Sequence, residues 1–327
     1  MKKRILSGAQ PSGQLHIGNY FGMIERMVQF QEDSDLFCFV ANYHSMTSIH
    51  DKAKLEENTR EAFIDLLALG IDSNKSTLWI QSHVPEVTEL AWILSNFASV
   101  GLMQRSTSYK DKIANGLKPN MGLFSYPILM ASDILLFQSE MVPVGKDQKQ
   151  HLEMTRDIAT KFNNIYGDIF TIPEIEIEIR SYNKGDVVVG IDDQKMSKSY
   201  NNTIPIFDSE KNIQKAIMRI ITDNSEINEL KDKNSSLFHL YSLFIDSEGK
   251  KVLSSRYDKP GLRYGDLKKE LFEIVMDYFL PFRKKRDKLI SRKDYVYDIL
   301  DSGAKKANLI ATEVLNRVLE SVGVLYK

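Results

Sequence analysis

Cysteine, net charge and long apolar runs are all scarce in this 327-residue chain. Its single cysteine, Cys38, excludes an intrachain disulfide and is typical of a reducing cytosol. The formal net charge of −1 excludes an overall positive field for nucleic acid, which leaves only a local basic patch open. No stretch approaches the roughly 20 apolar residues of a membrane helix, and the apolar segment after the basic start ends too early, at Ser7 and Gly8, for a secretion signal. We therefore expect a cytoplasmic protein that does not associate with membranes.

Short apolar runs alternate with helical patterns through the first part of the chain. Bounded runs of this kind are typical of strands buried on both faces of a parallel sheet. They occupy residues 4–7, 36–40, 78–81 and 141–144, with helical spacing over residues 55–67 and 90–97 between them. Strands that alternate with helices predict right-handed βαβ units and a Rossmann-like, doubly wound α/β domain.

The character of the sequence changes late in the chain. Residues 175–179 alternate isoleucine with glutamate, and turn residues at 183–186 predict a hairpin with residues 187–189. After this point helical patterns replace strand signals. We predict a Rossmann-like catalytic domain with a helical insertion over residues 1–206 and an all-helical domain over residues 207–327.

Residues 10–19 follow the first predicted strand and open a helix. A helix N-terminus there would aim free N–H groups and the positive end of its dipole at an anion. Gly18 has no side chain, so a flat base could stack on the backbone, while His16 and Asn19 could donate hydrogen bonds to phosphate. The alternative is a tight turn capped by Ser12. Neither common phosphate-loop pattern, G-x-G-x-x-G or G-x-x-x-x-G-K-[ST], fits this segment.

A second polar segment, Lys-Met-Ser-Lys-Ser at residues 195–199, carries two lysines and two hydroxyl groups. Lys195 and Lys198 could close over a triphosphate and stabilise the departing pyrophosphate. The alternative is an ordinary solvated loop.

Together and in this order, the two segments resemble the signature motifs of the class I aminoacyl-tRNA synthetases. Residues 16–19 match the His-Ile-Gly-His-type motif, and residues 195–199 match the Lys-Met-Ser-Lys-Ser motif without change. Four further segments resemble the bacterial type of tryptophanyl-tRNA synthetase: residues 10–13, 126–133, 145–153 and 303–307, the last of which we expect to open the final helix. The resemblance covers nearly the whole chain.

This resemblance implies the residues of an active site. Its catalytic groups would be Lys195, Lys198, His16 and Asn19, acting on ATP that binds with Mg²⁺ as a substrate complex, with no resident metal and no tightly bound cofactor. The rest of the ATP site would comprise Gln10, Pro11, Ser12, Gly18, Gly145, Lys146, Asp147, Val188, Met196, Ser197 and Ser199. The tryptophan site would comprise Asp133 as the acceptor for the indole N–H, Tyr126, Gln148 and Gln10 near the amino and carboxylate groups, the apolar walls Met130, Leu6, Val142 and Val144, and His44.

The chemistry of tryptophan is consistent with this assignment. Indole N–H is a donor only, so a buried pocket needs one fixed acceptor. The alternative for Asp133 is an N-cap of a helix that starts at Ile134, and the alternative for the wall residues is ordinary core. Three positions depart from the family pattern: Lys146 where an acid is usual, Asn42 where aspartate is common, and Leu6 where an aromatic residue is frequent.

The implied reaction has two steps. The carboxylate of tryptophan, already ionised at neutral pH, attacks the α-phosphorus of ATP without a general base. The 3′-terminal adenosine of tRNA(Trp) then accepts the tryptophan. The resemblance also implies a homodimer and an anticodon-binding helical domain, where basic residues at 283–288 and 305–306 would either meet the tRNA or form a solvated helix face.

Three other functions remain open at this point. A tyrosyl-tRNA synthetase shares the fold and both nucleotide motifs, but residues 131–133 and 147–151 favour the tryptophan enzyme. A non-catalytic sensor of tryptophan or RNA has little use for Lys195 and Lys198. A small-molecule nucleotidyltransferase would not account for the helical C-terminal half together with the complete lysine segment.

Overall fold

One parallel sheet organises the first part of the molecule. The structure is a computed structural model that describes residues 2–106, 110, 116, 118–145, 148–177 and 187–326. Its five strands are β1 (Arg4–Ala9), β2 (Asp35–Val40), β3 (Ser76–Ile80), β4 (Met141–Val144) and β5 (Glu174–Ile177). They lie in the order β3-β2-β1-β4-β5, and every pairing is parallel. This confirms the predicted Rossmann-like α/β class.

The central strands are apolar on both sides because both faces of the sheet are covered. Ile5 and Leu36 point into one apolar cluster, while their neighbours Leu6 and Phe37 point into a second cluster on the opposite face. All four side chains are buried. A strand covered on both faces reads as a continuous apolar run, which is why the sequence signal was strong.

Helices connect these strands and surround the sheet. They are α1 (Ile17–Asn19), continued by a π-helical turn at Tyr20–Ile24, then α2 (Glu25–Asp33), α3 (Asn42–Ser45), α4 (Lys52–Ala68), α5 (Glu86–Ser95), α6 (Val100–Gln104), α7 (Met121–Leu136) and α8 (Lys149–Tyr166). Short 3₁₀ turns lie at Gln81–His83 and Lys198–Tyr200.

The last third of the described chain is helical, as predicted. Its helices are α9 (Glu210–Met218), α10 (Ser236–Ser242), α11 (Ser247–Tyr257), α12 (Tyr264–Ser291) and α13 (Lys293–Ser321). Across the described ranges, no helix is long and apolar enough to cross a membrane.

The region around β5 tests only part of the hairpin prediction. Residues 174–177 do form a strand, but it pairs in parallel with β4. The predicted turn at residues 183–186 lies outside the described residues. Val189 instead forms an isolated antiparallel bridge with Lys195.

The prediction that residues 303–307 open the last helix is wrong. Helix α13 begins ten residues earlier, at Lys293, so Gly303 lies in its interior. A Cβ atom on Gly303 would stand 1.9 Å from the carbonyl oxygen of Leu78 in β3. Glycine is needed at this position because it lets the helix approach the strand backbone this closely.

Candidate active site

The two motif segments predicted to share a site meet at the end of β1. The Lys198 Nζ atom donates to the carbonyl oxygen of Gly13 at 2.7 Å and to Ser12 Oγ at 3.2 Å. The backbone joins them as well, since Ile17 N donates to the Ile204 oxygen at 3.0 Å. The lysine loop, residues 190–202, therefore lies against the loop that follows β1.

Helix α1 begins at this junction, with His16 as its N-cap. Asn19 Oδ1 accepts the backbone N–H of His16 at 3.1 Å. The segment does open a helix, and His16 rather than Ser12 is its cap. The expectation of free N–H groups is also wrong for the first turn: Ile17 N–H is used by Ile204, and Gly18 N lies 3.3 Å from Met196 Sδ.

Gly18 is held between two side chains of the site. A Cβ atom there would stand 3.0 Å from His16 Nδ1 and 3.1 Å from Met196 Cβ. A side chain at this position would require His16 or Met196 to shift by a few tenths of an ångström. The lack of a side chain on Gly18 therefore lets α1 and the lysine loop lie this close together.

Burial alters the charge of the two catalytic candidates. Burial, and then the neighbouring Lys198 charge, lower the pKa of His16 to about 3, so its imidazole is neutral at physiological pH. Burial likewise lowers the pKa of Lys198 to about 8, against the opposing effect of Asp65. His16 Nδ1 has no hydrogen-bond partner among the described residues. His16 can thus serve as a neutral hydrogen-bonding group, while Lys198 carries the charge.

Asp65 of α4 connects this lysine to the C-terminal helices. Burial raises the pKa of Asp65 to about 6, although it accepts a hydrogen bond from Arg286 Nε at 2.6 Å. Arg286 also pairs with Glu61, and Arg283 donates to the Ile206 oxygen at 2.6 Å. The guanidinium groups of Arg283 and Arg286, two members of the predicted basic run, are therefore both engaged in contacts within the chain.

Within the lysine loop the predicted ATP residues have distinct surroundings. Lys195 is exposed and Met196 is buried. Met196 N donates to the oxygen of Val188 at 2.9 Å, and Ser197 Oγ lies 2.8 Å from Ser199 Oγ.

The predicted indole acceptor, Asp133, lies inside α7, which excludes the N-cap alternative. It is buried, and its carboxylate is 2.8 Å from His44 Nε2. Gln81 Nε2 donates to both carboxylate oxygens, at 2.8 and 2.9 Å. Burial raises the pKa of Asp133 above its usual value, while the hydrogen bonds from His44 and Gln81 oppose this.

A second hydrogen-bonded chain involves the residues predicted to hold the α-amino group. Tyr126 OH is 2.8 Å from His151 Nε2, and Gln148 Oε1 is 2.9 Å from His151 Nδ1. Since the amide oxygen can only accept, Nδ1 donates, and in the neutral imidazole Nε2 then accepts. Ser106 Oγ also approaches Nε2, at 3.2 Å. His151 therefore connects three separate parts of the chain.

The remaining predicted residues lie around these groups. Leu6, Val142 and Val144 are buried in one apolar cluster, with Met130 partly buried against it. Gln10 is exposed, whereas Pro11 is buried, and both follow β1; Gly145 follows the neighbouring strand β4. Lys146 and Asp147 lie outside the described residues. The carboxyl ends of β1 and β4 flank the point where strand order reverses, which is where open α/β sheets bind ligands.

Sequence reasoning missed four residues of this arrangement, namely Gln81, His151, Ser106 and Asp65. Gln81 was the easiest to find, because it is a polar residue directly after β3, at the ligand-binding end of the sheet. Its role depends on Tyr43, whose N–H donates to Gln81 Oε1 at 3.0 Å and orients the amide toward Asp133.

Residues 1–279 match the family described as tRNA synthetases class I (W and Y). The chain belongs to this family. A tryptophan–tRNA ligase from Campylobacter jejuni strain RM1221 is 51% identical over 322 residues, covering 98% of this chain and 100% of the relative. One from Fusobacterium nucleatum is 48% identical over 324 residues, covering 99% of this chain and 98% of that one.

The fold agrees with these relatives. The crystal structure of tryptophanyl-tRNA synthetase from Campylobacter jejuni complexed with ADP and tryptophan superposes with a TM-score of 0.90 at 51% identity, covering 98% of this chain and 99% of that chain. A tyrosyl-tRNA synthetase from Archaeoglobus fulgidus shares the fold at a TM-score of 0.67 and 16% identity.

Proposed function

We propose that this chain is a tryptophan–tRNA ligase, which activates L-tryptophan with ATP and transfers it to tRNA(Trp). The observation that carries the proposal is the contact of Lys198 with the loop after β1, in a chain half identical to tryptophan–tRNA ligases along its full length. The predicted class of enzyme, an aminoacyl-tRNA ligase, is confirmed by those relatives.

The first step needs positioning and charge stabilisation more than acid–base chemistry. The substrate carboxylate attacks the α-phosphorus, so that negative charge grows on the departing pyrophosphate. We assign the neutralisation of that charge to Lys198 and Lys195, and the neutral His16 would add a hydrogen-bonding group. Mg²⁺ enters as part of the ATP substrate, with the phosphate oxygens among its ligands.

Selection of tryptophan is assigned to Asp133. A carboxylate offers about four lone-pair sites, of which the contacts from His44 and Gln81 use three. One acceptor site is thus left for the indole N–H. A substrate that places no donor there leaves a buried acceptor unsatisfied, a penalty large enough to discriminate without editing.

Binding of the tRNA anticodon region is assigned to the helical part, for which we keep the proposed boundary between residues 206 and 207. Lys284, Lys285 and Lys288 on α12 are exposed and remain available to the RNA backbone. Lys306 is exposed as well, while Lys305 pairs with Asp301 at 2.7 Å.

We also propose a cytoplasmic homodimer. An apolar groove between α3, α5, α6 and α7 exposes Trp92 by 75% and Met121 by 73%. A cluster of exposed large apolar side chains of this kind is typical of a protein interface.

The test of the function is tryptophan-dependent exchange of labelled pyrophosphate into ATP, with parallel reactions containing tyrosine and no amino acid. Exchange with tryptophan alone, followed by charging of tRNA(Trp), is the expected result. Exchange with tyrosine would move the specificity and contradict the role of Asp133. No exchange from a folded protein that still binds tryptophan would favour the sensor.

A further inference from the structure

The lysine loop surrounds one buried polar side chain, that of Asn202. Only 1% of this residue is exposed, although the loop around it is largely polar. Its Oδ1 atom accepts the backbone N–H of Ser197 at 2.7 Å. Its Nδ2 atom donates to the backbone oxygen of Lys195 at 3.0 Å and to Asp192 Oδ1 at 2.7 Å. The amide thus bonds on both sides of Met196, inside the motif itself.

The backbone of Asn202 closes the same loop. Ile191 N donates to the Asn202 oxygen at 3.1 Å, which joins the two ends of the segment. Gly190 packs directly against Asn202. A Cβ atom on Gly190 would stand 2.4 Å from Asn202 Nδ2 and 2.8 Å from the backbone oxygen of Asn202. Ser197, Lys195, Asp192 and Gly190 therefore all lie against the Asn202 amide.

Asparagine is the side chain that these contacts require. The Ser197 N–H needs an acceptor, while the Lys195 oxygen and the Asp192 carboxylate need donors. A carboxylate at the same position would keep the first contact. It would also lose the second, and it would face Asp192 at hydrogen-bond distance as a like charge.

We propose that Asn202 is a positioning residue that fixes the backbone between Lys195 and Lys198, so that both ammonium groups meet the triphosphate. The inference rests on the function proposed above. Asn202 contacts the loop rather than the substrate, and it therefore acts through the two lysines.

The chain offers a matched control in the preceding residue. Asn201 is exposed, and its side chain makes no hydrogen bond with the described residues. Its φ of 52° lies in the left-handed region, which aspartate tolerates as asparagine does. Asn201→Asp and Asn202→Asp therefore add the same charge at adjacent positions, and only the second breaks the network.

The experiment measures pyrophosphate exchange for Asn202→Asp, Asn201→Asp, Asp192→Asn and the double variant Asp192→Asn/Asn202→Asp. We expect Asn202→Asp to lower kcat by about 100-fold, because misplacing a reacting group by about 1 Å costs this much. The KM for tryptophan of Asn202→Asp should stay within about twofold of the parent value, since the amino-acid pocket is untouched. The kcat of the control variant Asn201→Asp should stay within about threefold of the parent value. The double variant exchanges amide and carboxylate between the two positions, so it should recover at least about tenfold of the loss.

Several results would overturn the proposal. They are exchange by Asn202→Asp within about threefold of the parent, equal loss in Asn201→Asp, or a parallel loss of tryptophan affinity and thermal stability. ATP affinity is measured by calorimetry in the same set. If the parent protein shows no pyrophosphate exchange, the proposed function fails. A selective loss of ATP affinity in Asn202→Asp would in that case still support the positioning role of Asn202. An unchanged ATP affinity in this variant would contradict that role.

Discussion

The nucleotide side and the amino-acid side of the site are built in different ways. Two contiguous segments, residues 10–19 and 195–199, supply most of the predicted nucleotide side. The amino-acid side combines His44, Gln81, Ser106, Asp133 and His151, which follow or lie on separate elements. Backbone contacts and the local hydrogen bonds of the Asn202 amide hold the first, whereas a buried network of side chains from separate elements holds the second. Local sequence motifs therefore specify where the phosphates of ATP bind, and tertiary contacts specify which amino acid is activated.

The largest effect should come from the amino-acid side. Asp133→Asn replaces an acceptor with an amide that places a donor among the His44 and Gln81 donors. We expect kcat/KM for tryptophan to fall about 1,000-fold or more, with little change in ATP affinity. Exchange kinetics and calorimetry check this, with the exposed Asp301→Asn as the matched control. Equal losses in ATP and tryptophan affinity would remove the distinction between the two sides.

The next effect concerns the nucleotide side alone. Lys198→Gln removes the ammonium that lies against Ser12 and Gly13. We expect kcat for exchange to fall about 100-fold, while the dissociation constant of tryptophan stays unchanged. Lys211→Gln on the exposed surface of α9 is the control. A weaker tryptophan complex in Lys198→Gln would show that the two sides are not independent.

A smaller effect is expected for Tyr126, which is predicted to hold the α-amino group and is hydrogen-bonded to His151. Tyr126→Phe deletes only the hydroxyl that meets His151. Loss of this partly buried hydrogen bond should raise KM for tryptophan about tenfold and leave KM for ATP unchanged. An unchanged KM for tryptophan would mean that the His151 chain serves folding rather than binding.

The smallest effect is a pH dependence confined to the nucleotide side. With a pKa of about 8, Lys198 is charged below this pH and loses its proton as the pH rises through it. Between pH 7 and pH 8.5 the charged fraction falls roughly fourfold, and kcat/KM for ATP, which reports the free enzyme, should fall with it. The dissociation constant of tryptophan, measured over the same pH range, should stay unchanged.

The same contrast explains what the sequence could predict. The parallel sheet was predictable because strands covered on both faces, such as β2, leave an unbroken apolar run. Lys198 and Gly13 could be paired because their segments match a motif. Asp133 was found only through the family resemblance, since a polar residue in an apolar run is more typical of a helix cap.

Partners that arise from tertiary contacts were out of reach. The basic run at 283–288 has the composition of an RNA surface, yet Arg286 turns inward because α4 presents Asp65 and Glu61 to it. Gly303 was taken for a helix start, whereas its small size serves the contact with Leu78. In both cases the sequence indicated the type of residue correctly, but it did not indicate which distant residue it would contact.

That contact of Gly303 with Leu78 also bears on the order of events during synthesis. β3 lies at one edge of the sheet, and α13 contacts it although Gly303 and Leu78 are 225 positions apart in sequence. A ribosome releases β3 long before it releases α13, so the outer strand waits without its cover while the intervening chain is made. An uncovered strand is a template for pairing with other chains. The newly made protein is therefore most vulnerable to aggregation in the interval that ends when its last long helix docks.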